Sequence, residues 1–98
     1  MDEWPFADPP DVACVTVREA MEGRRPILLV AHDADDGGWQ FLTGDPFDVA
    51  DGLLVSLSSV VQRDRSLLEL ADLPLGWEAS REAPGSPWQR APSESSDA

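Results

Sequence analysis

Residues 27–44, "ILLVAHDADDGGWQFLTG", constrain the fold more than any other stretch. The run Ile27 to Ala31 is β-rich and apolar on both alternating faces, as a strand covered on both sides would be. Four turn-type residues follow, Asp35, Asp36, Gly37 and Gly38, and then Trp39, Phe41 and Thr43 alternate with Gln40 and Leu42. A period of two marks a strand with one buried face, and an Asp/Gly-rich connection between two such strands makes an antiparallel hairpin. The chain is therefore expected to build a sheet around this hairpin.

The flanking segments supply the rest of an α+β domain. Residues 1–11 hold three prolines and four acids, which suits an extended arm that Trp4 and Phe6 can anchor. At Val12 the texture changes to a short strand running into a short helix at about 17–22, with Thr16 and Glu19 at capping-box spacing and Gly23 and Pro26 as stop signals. "LLVSL" reads as a third interior strand. "SSVVQRDRSLLELADLP" reads as two short helices broken at Asp64, because Ser66 and Glu69 repeat the capping-box spacing before Pro74 and Gly76 end the run. "WEASR" forms a last strand, and from Ala83 the Pro/Ser/Gly bias predicts a disordered tail on which Trp88 can dock. The expected organisation is an arm at 1–11, one α+β domain at 12–82 and a tail at 83–98. Within the domain, a mainly antiparallel sheet with a central hairpin carries two or three short helices.

Charge narrows the function. Nineteen acids against seven bases, all arginine, give −12. That balance argues against direct nucleic-acid binding, which needs a basic footprint. The excess is patchy: residues 33–51 alone carry −6, so the partner such a surface favours is a basic protein. A core this small also favours pairing with a partner or with a second copy. The single Cys14 excludes an internal disulfide, and no apolar run approaches the roughly 20 residues that span a membrane. With an acidic rather than a basic N-terminus the expected compartment is the cytoplasm. The absence of Lys, Asn and Tyr, whose codons are AT-rich, suggests a GC-rich bacterial genome.

"HDADDGGWQFLTGDPFD" holds the one histidine and the densest acids, and three chemistries compete for it. Asp33, Asp35 and Gly38 fall at the first, third and sixth positions of a calcium-binding EF-hand loop, but Gly44 stands where the closing bidentate glutamate is required. His32 with Asp33, Asp45 or Asp48 offers a transition metal few ligands and no ligand-pair spacing. Cys14 with His32 as base would be a nucleophile, yet Cys14 lies mid-strand, where cysteine acts as a small buried hydrophobe. No Gly-x-Ser-x-Gly elbow or phosphate loop occurs. The expectation is no enzyme, no cofactor and no metal. Trp39 and Phe41 read as core, whereas Trp4, Phe47, Trp77 and Trp88 lie near element ends, where aromatic rings can anchor an interface.

The order "ACVTVREAMEGRRPILLVAHD", "GGWQFLTGD", "LVSLSSVVQRDRSLLELADLPLGWEASRE", "GSPWQR" resembles the small bacterial immunity-protein-33-like family of domains of unknown function, associated with polymorphic-toxin immunity proteins. The counterparts are Arg18 to Gly23, Gly38 to Gly44, Asp64 to Leu68, and either Pro74 to Trp77 or Gly85 to Arg90, within roughly residues 13–90. Arg65 stands where the family often has proline, and the tyrosine-bearing segment after the Gly-Asp is missing. These motifs are structural. The resemblance implies an immunity-like protein. The charge pattern leads to the expectation of a non-enzymatic binding protein that sequesters a toxin or another basic partner, with Asp33, Asp35, Asp36, Asp45, Asp48 and Asp51 steering and pairing with basic groups and an exposed Trp or Phe47 as the anchor. The competing readings are an accessory housekeeping homodimer and, behind it, a metal-dependent enzyme.

Overall fold

The computed structural model describes residues 4–44 and 49–93. Strands β1 (Ala13–Val17), β2 (Leu29–His32), β3 (Trp39–Leu42), β4 (Gly52–Ser56), β5 (Trp77–Ser80) and β6 (Gln89–Pro92) form one six-stranded sheet in the order β4-β1-β3-β2-β5-β6. Helices α1 (Arg18–Met21) and α2 (Leu57–Arg63) and two 3-10 turns, Val49–Asp51 and Arg65–Leu70, complete an α+β domain. No helix among the described residues is long and apolar enough to cross a membrane.

The sheet is mixed. The hairpin strands β2 and β3 pair antiparallel from Leu29↔Leu42 to His32↔Trp39, and β3 runs parallel to β1, with Thr16 beside Phe41. The row Thr16, Phe41, Val30 and Ala79 crosses four strands in register, and all four residues are fully buried against the helices. Each fully buried Val or Phe of this kind contributes about 1.5–3 kcal/mol. The next row, Leu54, Val15, Gln40, Ala31, Glu78 and Ala91, points the other way, and none of it is buried.

Three segments differ from expectation. "LLVSL" does not form an interior strand: β4 lies at the sheet edge, with Leu54 75% exposed. Its apolar pattern comes instead from Val55, packed on the core, and from Leu57, which opens α2. The segment from Ala83, expected as a disordered tail, carries β6, whose antiparallel pairing with β5 needs only backbone groups. The capping boxes also differ. Thr16 is buried, and its hydroxyl donates to Phe41 O at 2.8 Å, leaving Val17 to precede α1 without a side-chain cap. The turn at Arg65 is capped by Asp64, whose carboxylate accepts from Ser66 N at 3.0 Å.

The arm is extended and docked. Phe6 is buried, its ring edge-on to Trp39 at 5.3 Å and tilted against Trp4 at the same distance. Asp8 ties both tryptophans, since Trp4 Nε1 donates to its carbonyl and Trp39 Nε1 to its carboxylate. The carbonyls of Val12 and Pro10 then accept from Leu57 N and Ser58 N, two of the amides at the start of α2 that no helical carbonyl can reach. Ser56 takes another, accepting from Ser59 N at 3.2 Å.

Candidate functional site

The hairpin turn is held by its own aspartates. Asp33 N donates to Gly38 O at 2.8 Å, Asp33 Oδ1 accepts from Asp35 N at 2.9 Å, and Asp36 Oδ1 accepts from Gly38 N at 2.8 Å. Gly37, at φ +73°, supplies the left-handed residue that closes the turn. Two of the three carboxylates thus shape the loop, while Asp35 and Asp36 stay exposed. Asp35 has no side-chain partner among the described residues.

A second loop, 72–76, packs against this turn. Gly76 N donates to His32 O at 2.7 Å, and His32 Nδ1 lies 2.7 Å from Leu73 O. A carbonyl only accepts, so Nδ1 carries the proton, and the ring is held stacked on Trp39 at 3.9 Å. His32 is therefore a clamp between the two loops. Leu75 lies beside Gly37 and is 57% exposed, an apolar side chain on the turn that carries Asp35 and Asp36. Further along, Asp72 pairs with Arg90 at 2.8 Å, and that hydrogen bond and charge hold its carboxyl below the ordinary aspartate range.

Of the expected aspartates, Asp51 does not share a surface with the turn. Asp33, Asp35 and Asp36 precede β3, whereas Asp51 adjoins Gly52, which pairs with Val17 at the far end of parallel β1. Four residues of β3 separate the two ends by on the order of 13 Å. Asp45, Phe47 and Asp48 lie outside the described residues. Trp77 and Trp88 are half-buried against the core, as is Trp4.

Cys14 is buried, and desolvation pushes its thiol up to about 11, so little thiolate is present at neutral pH. Among the described residues no three His, Cys, Asp or Glu side chains are grouped to hold a metal ion.

A different constellation escaped the sequence reading. Arg81, its side chain 1% exposed, donates through Nε and Nη2 to Ile27 O, through Nη1 to Ser66 Oγ at 2.9 Å and through Nη2 to Asp64 Oδ2 at 2.6 Å. Its guanidinium lies 4.2 Å from the Trp88 ring centre. Burial raises the Asp64 carboxyl, but hydrogen bonds from Ser66 and Arg81 outweigh it and leave the value below the ordinary one. The signal was Arg81 itself: it follows Trp77 and Ala79 at spacing two, so it continues the core-facing side of β5. A buried arginine at such a position requires an acid nearby.

No family model, curated protein or solved structure matches the chain.

Proposed function

We propose that this protein is a non-enzymatic binding domain, immunity-like in kind and cytoplasmic, that captures a basic protein on the surface formed by the 33–38 turn and the 72–76 loop. The observation that carries the reading is Leu75, an exposed leucine packed beside Gly37 of the turn whose Asp35 and Asp36 are exposed. Asp35 and Asp36 steer a cationic partner and pair with it, and Leu75 enters an apolar pocket on that partner. Hydrogen bonds within and between the loops keep the surface in one shape, which lowers the ordering cost of binding. Capture from a bacterial lysate at low and high salt, followed by kinetics with the purified partner, tests it. The double replacement Asp35→Asn and Asp36→Asn slows association about tenfold, and Leu75→Ser speeds dissociation. Association that ignores both salt and the double replacement removes this surface from the binding.

A second reading, a homodimer, is favoured by Leu54 on the edge strand and by the unburied row beside it. Sedimentation of the purified chain separates the two: a monomer at micromolar concentration leaves the heterologous partner as the working reading.

A further inference from the structure

We propose that the cavity lined by Arg24, Arg25 and Arg63 binds the phosphate of a small phosphate monoester, whose organic body rests on the apolar floor formed by Ala20, Pro26 and Ile27. The cavity measures about 410 Å³, within the range of small-molecule sites. In a chain with seven basic residues and a net charge of −12, three of the seven line one hollow. The fold does not use all of them. Arg81 is locked in its network and Arg90 donates to both Glu69 O and Asp72, whereas Arg63 has no side-chain partner among the described residues. Arg24 meets Glu22 at 2.6 Å, but both side chains are largely exposed, and a solvent-screened pair of this kind is weak enough for a dianion to displace.

The arginines stand on fixed backbone. α1 ends in a Schellman motif, with Arg24 N donating to Glu19 O at 2.9 Å, Gly23 N donating to Ala20 O at 3.2 Å and Gly23 at φ +80°. Arg63 Nη1 lies over this turn, 3.7 Å from where a Gly23 Cβ would be. The acid on the lining, Asp64, has its charge balanced by Arg81 at 2.6 Å. Arg63, balanced by no carboxylate among the described residues, therefore gives the hollow an excess positive charge, and at ~0.15 M salt, where screening extends about 8 Å, it outweighs remote carboxylates. Guanidinium forks match phosphate oxygens in pairs, so Arg63, with Arg24 released from Glu22, suits a dianion better than a single carboxylate.

A plainer role for Arg63 is to offset the negative end of α2. Amide NMR titration at constant ionic strength, with phenyl phosphate and with inorganic phosphate, distinguishes the two. Saturable shifts confined to Gly23–Ile27 and Arg63–Asp64 are expected, tighter for phenyl phosphate, with Arg63→Gln weakening binding about tenfold, as loss of a charge-assisted pair should. The site is overturned by shifts that are absent or spread equally over Arg18, Arg65 and Arg90. Arg63→Gln that lowers the unfolding midpoint without weakening the titration also overturns it. Equal binding of the two phosphates removes the apolar floor from the proposal.

Discussion

Arg81 has no access to water, so its charge depends on the groups around it. Asp64 supplies the counter-charge, Ser66 and Ile27 supply further acceptors, and the planar fork reaches all three in a way a lysine could not. Replacing Asp64 with Asn leaves the guanidinium buried without its anion, and a loss of about 3 kcal/mol is expected from urea unfolding at pH 7. The pH dependence has a definite sign. The folded carboxyl lies below its unfolded value, so its contribution is complete above about pH 4 and disappears as the pH falls through the folded value. The stability gap between the native chain and Asp64→Asn should therefore narrow below about pH 4. Asp72 shifts in the same direction through Arg90, but that pair is exposed and contributes little. A gap that stays constant from pH 7 to pH 3 would show that the buried pair is not what Asp64 provides.

At the scale of elements, β6 does more than its composition suggests. Its four residues are exposed, but it covers the edge of β5 and brings Trp88 over Arg81. Truncation after Glu82 is expected to cost about 2–3 kcal/mol through the lost aromatic burial and cation–π contact, and to speed amide exchange in β5. Unchanged stability in the shortened chain would mean that β6 is an appendage. This strand was illegible because all four side chains face solvent, so no period-two pattern exists, and Pro92 is tolerated only because the strand is an edge. The hairpin was legible for the opposite reason: Trp39 and Phe41 alternate into the core, and Gly37 marks the turn. The break between the helices at Asp64 was also readable, although its partner Arg81 lies 17 residues further on and only the fold joins them. The edge position of β4 depends on tertiary order and leaves no local trace. The acidic site was half readable. The turn and its aspartates followed from sequence, whereas Asp51 was grouped with them, and its place at the far end of β1 follows only from the sheet order. Leu75 gave no signal, because its place beside the acidic turn arises only when the 72–76 loop packs there.

The acids come in separate runs along the chain of a small body, and this makes salt act on it in two opposite directions. The Cα radius of gyration is 12.6 Å. At ~0.01 M salt the screening length is about 30 Å, so every carboxylate feels the rest and the folded state is strained by its own charge. At ~0.15 M the length falls to about 8 Å, shorter than the molecule, and repulsion is confined to each patch. The thermal midpoint of the isolated chain is therefore expected to rise by several degrees over this range, corresponding to about 1 kcal/mol in a domain of this size. Association with a basic partner should slow over the same range, because the field that strains the fold is also the field that steers the encounter. Measuring both on one preparation, melting by circular dichroism and association by stopped flow, ties stability and binding to a single cause. If the midpoint rises while Asp35→Asn and Asp36→Asn leave the salt slope of association unchanged, the acids serve solubility alone and the binding surface lies elsewhere. If the double replacement flattens that slope and leaves the melting profile nearly intact, the turn is the steering patch, since two charges removed from a total of −12 relieve little of the global strain.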